Sequence, residues 1–108
     1  MSLNAMMNNA VSGLQAQTTR LSATSNNVAN ALTPGYDRSV TSLTSRSLGG
    51  VSASVAPSGE PTLPGSSNVD LGTEMLDLIE TELSYKANAS VFEAGADMWD
   101  VLMSIKRD

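Results

Sequence analysis

Two trios of carboxylates carry the spacing in this sequence that could support acid–base or metal chemistry. Asp70, Glu74 and Asp77 share the 4,3 spacing of Glu93, Asp97 and Asp100, which places each trio along one face of a helix. Three carboxylates in a row could hold Ca²⁺ or divide the work of a proton donor and acceptor. Neither use is expected. Each trio sits one position beside an apolar stripe, where solvated or interface charges normally lie, and no loop with calcium-site geometry accompanies it. The chain has no histidine and no cysteine, so triads, zinc sites, thiol nucleophiles and disulfides fall away. "SLGGVS" has glycines but no lysine or phosphate-cradling pattern, so nucleotide binding is unsupported. The expectation is a non-enzyme with no catalytic residue, no cofactor and no metal.

The elements that carry these carboxylates are easier to read than any chemistry. The 108 residues make at most one domain, 41% apolar but only 4% aromatic. Trp99, Phe92, Tyr36 and Tyr85 are the whole aromatic supply, helped by six methionines. Such a chain builds a thin core and is marginal as a lone monomer. The net charge of −5 argues against nucleic acid as the main partner. It is concentrated in residues 70–108, while residues 1–69 are close to neutral. No apolar run reaches membrane-spanning length. No positive n-region precedes an apolar core, so no cleaved signal peptide is expected.

Three segments follow: a helix in 1–32, a turn and extended stretch in 33–68, and a second helix in 69–108. In the first, Met7, Leu14, Leu21 and Val28 recur every seven residues, with Leu3, Ala10, Gln17 and Thr24 at the intermediate position. The opposite face holds the small, uncharged Ala5, Ser12, Ala16, Thr19, Ala23 and Asn26, which suits a helix flanked by other elements. In the middle segment, Pro34-Gly35 suits the central pair of a type II turn. Tyr36, Arg38 and Val40 alternate, as do Val51, Ala53 and Val55, which predicts a short hairpin through Gly49-Gly50. Residues 56–68 read as a mobile extended tether.

The second helix should begin at Asp70 as N-cap, with Glu74 and Asp77 near its positive end and Lys106 and Arg107 near the other. One stripe holds Leu71, Met75, Leu78, Tyr85, Ala89, Phe92, Ala96, Trp99 and Met103, interrupted at Glu82. A second holds Ile79, Leu83, Ala87, Val91, Ala94, Met98, Leu102 and Ile105. At 1.5 Å per residue the helices would be roughly 45 and 55 Å long. The fold expected is mainly α: two long terminal helices in an antiparallel, coiled-coil-like pair, the Met7–Val28 seam docked on the first stripe. The second stripe and the small-residue face would then need partners.

The wording at both ends is specific. "GLQAQTTRLSATSNNVANALTPGYDR" (13–38) resembles the amino-terminal signature of the bacterial flagellar axial proteins of rod, hook and junction. "SNVDLGTEMLDLIETELSYKANASVFEAGADMWDVLMSIKR" (67–107) resembles their carboxy-terminal signature. The resemblance implies terminal helices that pair, pack with neighbours into a hollow tube, stay disordered before assembly and leave the cell through the flagellar type III export apparatus. The short middle segment is most similar to the small proximal rod proteins. Leu32, Glu82-Leu83 and Lys86 depart from the usual residues and leave the rod position open. The implied role is a structural subunit of the basal-body rod, partnered by other rod subunits or by itself. The alternative is a small secreted coiled-coil adaptor, or export-linked binding module, forming a discrete oligomer. Asn26, Asn27, Asn30, Pro34, Gly35 and Tyr36 carry the family motif. Asn30 alone could end the helix as a left-handed-tolerant cap, so the other amides are expected either to hydrogen-bond adjacent subunits or to be simple solvent-facing caps.

Overall fold

The computed structural model of the chain describes residues 2–106. Helix α1 (Leu3–Ala29) is followed by strands β1 (Ser39–Ser45) and β2 (Val51–Pro57) and by helix α2 (Leu71–Lys106). Ser2 caps α1 by accepting a hydrogen bond from the Ala5 N–H at 3.1 Å. Asp70 does the same work for α2, accepting from the Gly72 N–H at 3.1 Å and the Thr73 hydroxyl at 3.0 Å. Arg107, expected near the end of α2, lies outside the described residues.

At the other end of α1, Asn30 closes the helix with φ −104° and ψ 13°, not in the left-handed region expected of it. The reversal happens later, in the turn over Pro34 and Gly35. There the Tyr36 N–H reaches the Thr33 carbonyl at 3.2 Å, and Gly35 takes a φ of 75°, as a type II turn requires. The hairpin is antiparallel, pairing Ser39 with Pro57 and Ser45 with Val51. Its loop brings Gly50 so close to α1 that a Cβ there would stand 2.6 Å from the Ser12 hydroxyl oxygen. That same hydroxyl accepts the Val51 N–H at 3.1 Å.

The helices run antiparallel, with Met7 against Gly95, Gly13 against Asn88 and Asn27 against Glu74. Helix α1 thus lies between α2 and the hairpin, in a body 70 × 25 × 14 Å. The contact between the helices differs from the expected one. Among the described residues the buried hydrophobics are Ala10, Ala16 and Ala23, beside buried Ser12, Gln17, Thr24, Asn27, Glu74 and Thr81. Leu21 is 44% exposed, and Val28, Leu71, Met75, Tyr85, Phe92, Trp99 and Met103 are exposed too. Met7, Leu14 and Leu78 are half-buried.

Close approach explains the inversion. A Cβ on Gly13 would sit 2.3 Å from the Asn88 side-chain oxygen, so the helix axes come nearer than leucine-lined seams allow. The intermediate row of α1, with Ala10, Gln17 and Thr24, takes the contact instead. The small-residue face is covered by the hairpin, where Ser12 meets Gly50 and Val51.

Residues 58–68 are not a free tether. The Ser58 N–H bonds the Arg38 carbonyl at 2.9 Å, the Gly35 N–H the Ser66 carbonyl at 3.1 Å and the Asn68 N–H the Tyr36 carbonyl at 3.2 Å. The Ser67 hydroxyl donates to the Ala31 carbonyl at 2.5 Å. Backbone groups that a linker would leave to water are paired with the start of the hairpin.

Candidate functional site

The site begins at Asn27, which is 1% exposed. Its amide NH₂ donates to the Ser39 carbonyl at 2.9 Å and to Glu74 Oε2 at 3.3 Å. Its carbonyl accepts from the Ser39 N–H at 2.7 Å and from the Tyr36 hydroxyl at 3.0 Å. The side chain therefore imitates one rung of a β-ladder at the first residue of β1, and ties that strand to both helices. Glu74, with 0% exposure, takes its second partner from Arg38, whose Nε donates to Oε1 at 2.8 Å. A buried carboxylate is tolerable only with such pairing.

One turn along, Arg20 donates from Nε to Asp77 Oδ1 at 2.9 Å and from Nη2 to Glu80 at 2.8 Å. Thr24 bonds the other Asp77 oxygen. Burial pushes the Asp77 carboxyl up, but the hydrogen bonds from Arg20 and Thr24 outweigh it and hold the group below the usual carboxylate range. The Asp77 hydrogen bond likewise raises the Arg20 guanidinium above its ordinary value. Asp37 is lowered by hydrogen bonds from Ser58 and Asn68. The Asn68 amide joins Asp37 at 2.8 Å to Ser58 at 3.2 Å and accepts the Arg38 N–H at 2.7 Å. Hairpin, return segment and both helices meet in this one set of bonds.

The family-motif residues all lie around it. Asn26 donates to the Tyr36 hydroxyl at 3.1 Å, and Asn30 donates to the Asn26 carbonyl at 2.9 Å while accepting from Thr33 at 3.1 Å. The amides expected to reach neighbouring subunits are thus used inside the chain, around the Pro34-Gly35 turn. Of the first carboxylate trio, Asp70 caps α2 and Glu74 and Asp77 face α1, so two of the three are ion-paired in the helix contact rather than solvated. Glu93, Asp97 and Asp100 are exposed. Glu82, which interrupts the apolar stripe, pairs with Lys86 at 2.9 Å on the surface, and that hydrogen bond lowers its pKa. Among the described residues, no cluster of three carboxylates could hold a metal ion, and no helix is long and apolar enough to cross a membrane.

Asp37, Ser58 and Asn68 were not singled out by sequence spacing, and Arg38 was placed only in the strand alternation, not opposite a carboxylate. The available signal was scarcity: Arg20, Arg38 and Arg46 are the only cations in residues 1–69, and two of them are used on the carboxylates of α2.

The outward surface is the complement of this polar interior. Ile79, Leu83, Val91, Met98, Leu102 and Ile105 are exposed along one side of α2, and Tyr85, Phe92 and Trp99 along another. Apolar surface on this scale marks an interaction face. A polar seam, hydrogen-bonded at Asn27, Glu74, Arg20 and Asp77 but, among the described residues, not at the Gln17 side-chain oxygen, fixes the two helices while their large side chains point outward, which is the arrangement of a structural subunit.

Comparison with known proteins agrees at both ends of the chain. Residues 7–36 match the flagella basal body rod protein family, and residues 65–105 match the carboxy-terminal family of the flagellar basal body rod FlgEFG proteins. The flagellar hook protein FlgE of Brucella suis biovar 1 is 46% identical over 41 residues, which is 38% of this chain and 10% of that protein. FlgE of Brucella abortus biovar 1 is 51% identical over 41 residues, and FlgE of Rhizobium meliloti 43% identical over 42 residues. The chain spans about a tenth of the length of these hook proteins. It belongs to the rod and hook family of flagellar axial proteins, a family of structural components and not of enzymes.

Proposed function

We propose that the protein is a subunit of the flagellar basal-body rod, polymerising through its helices into the torque-transmitting tube that surrounds the export channel. The observation that supports this is the inversion of the helix pair. Polar and small residues close the interior, and the long apolar rows are left for neighbours on either side of α2. Candidate assembly residues are Met7, Leu14, Leu21 and Val28 on α1, with Leu71, Met75, Leu78, Tyr85, Phe92, Trp99 and Met103 on α2. Other rod subunits, and copies of itself, are the partners, and the flagellar type III export apparatus is the route of delivery.

A second reading, a subunit on the hook side of the rod, is favoured by the naming of its curated relatives as hook proteins. Deleting the gene and imaging the basal bodies separates the two. Truncated rods without hooks, with tagged protein inside the basal body, support the rod. Complete rods that lack hooks support the hook side. Normal motility with diffuse protein overturns both and leaves the discrete adaptor, which light scattering would show as a closed oligomer.

A further inference from the structure

The hairpin ends in a loop fixed by its own backbone. The Arg46 N–H bonds the Gly50 carbonyl at 3.0 Å, and the Gly49 N–H bonds the Arg46 carbonyl at 3.1 Å. Gly49 and Gly50 take φ of 103° and 86°, and Gly50 rests on Ser12 of α1. From this turn Leu48 projects with 99% of its surface exposed, two residues from the exposed Arg46. Arg20, Arg38 and Lys86 each have a carboxylate partner, whereas Arg46 has none among the described residues. A leucine and a cation presented together on an ordered turn lose little freedom on docking.

Near the end of α2, Met98, Val101 and Leu102 line an apolar groove of about 300 Å³, with Asp97 as its charged lining residue. Asp97 stands two residues from Gly95, about 200° around the helix. Gly95 faces α1, so Asp97 points away from the helix pair. Glu93 and Asp100 share its side of the helix, and none of the three has an ion pair among the described residues. The groove fits an apolar side chain, and its negative edge fits a cation.

Within one chain these two surfaces cannot meet, because α1 lies between them and neither strand packs on α2. Resting on the assembly reading above, we propose that the hairpin tip of one copy docks on α2 of the next, with Leu48 in the Met98–Val101–Leu102 groove and Arg46 on Asp97. Charge complementarity selects this occupant, since the tip carries the unpaired cation and the groove the unpaired carboxylate. The heights also agree. The tip lies level with Asn9 and Ser12 of α1, and Gly95 level with Met6 and Met7. Tip and Asp97 are therefore offset by only about 10 Å along the axis, at 1.5 Å per residue. Copies can stand side by side, hairpin against α2, with that small shift between them. The two patches differ, so each added copy leaves one tip and one groove open and the row is directional.

Opposite charge reversals test this. Arg46→Glu and Asp97→Lys are placed singly in the full chain, in an osmolyte concentration at which circular dichroism shows every chain to be fully helical. Each alone should self-associate about three- to tenfold more weakly than wild type in sedimentation velocity, because repulsion replaces an exposed ion pair. An equimolar mixture of the two should associate as wild type does. In it the reversed tip meets the reversed groove, and the native tip meets the native groove. The double variant R46E/D97K should do the same by itself. Leu48→Ser should weaken association about tenfold. Added salt should leave that loss in place while shrinking the effect of the charge reversals. A mixture that associates no better than its components overturns the contact, and so does a Leu48→Ser chain that behaves as wild type. If Arg46→Glu enters basal bodies normally, the contact falls and the assembly reading stands. If wild type never self-associates yet localises there, the partner is another subunit and the second-copy proposal falls. Recovery in the mixture, with wild type absent from basal bodies, keeps the contact and removes the rod.

Discussion

Asn27 shows what a single amide can do when all of its hydrogen-bonding capacity is used. It holds the first residue of β1, the Tyr36 hydroxyl and Glu74 at once. Asn27→Ala leaves several of these buried groups unpaired, and each such loss costs about 1–3 kcal/mol. Stability should fall by about 3 kcal/mol or more, read as a higher osmolyte concentration at the folding midpoint. Asn26→Ala removes two exposed bonds, one to the Tyr36 hydroxyl and one from the Asn30 amide, and should cost well under half as much. Asp77 gives a second, acid-dependent test. Its folded pKa lies below the unfolded value of about 3.9. Its contribution is therefore complete above about pH 4 and is lost as pH falls through the depressed folded value. Asp77→Asn should flatten the decline of stability in that window. Part of the slope should remain, because Asp37 is lowered in the same direction.

At the scale of elements, the distance between the helices is set by glycine. Alanine is a better helix former than glycine by about 1 kcal/mol, so Gly13→Ala should stabilise a free helix. Here the new methyl would meet Asn88, whose amide is held to the Ser84 carbonyl at 2.9 Å. Gly13→Ala alone should destabilise the pair, and in an Asn88→Ala background the sign should reverse to a gain of up to about 1 kcal/mol. Two thermal melts decide it. If Gly13→Ala is stabilising in both backgrounds, the close approach does not control the packing. The same geometry explains what was legible in the sequence. Helix spans, the type II turn and the hairpin follow from local rules of period, proline and glycine. Which face of each helix turns inward does not. Leu21 and Val28 read as seam because apolar residues at seven-residue spacing usually are. The burial of Glu74 depends on Arg38 and Asn27, 36 and 47 residues away. Likewise residues 56–68 read as tether, although Ala56 and Pro57 belong to β2, because the partners of the rest, Asp37 and Arg38 among them, are distant in sequence.

For the whole molecule, the inversion moves much of the stabilisation outside the chain. Alanines are the only buried hydrophobic side chains among the described residues, while ordering a backbone costs about 1–2 kcal/mol per residue. Burying Leu21 or Phe92 completely would make either worth about 2–5 kcal/mol against alanine. With Leu21 44% and Phe92 36% exposed, a single chain realises only part of that, and the remainder becomes available when a neighbour covers them. Folding should therefore be coupled to association. Circular dichroism of the purified protein should show little helix at nanomolar concentration and rising helix as concentration increases. Leu83→Ser, on the face turned away from α1, should leave the osmolyte midpoint of the dilute chain nearly unchanged. It should nevertheless raise the concentration needed for helix formation several-fold, because its cost falls on the interface. A dilute monomer that is fully helical and melts cooperatively would show that the polar seam suffices by itself. The outward apolar rows would then stabilise assembly without being needed for folding.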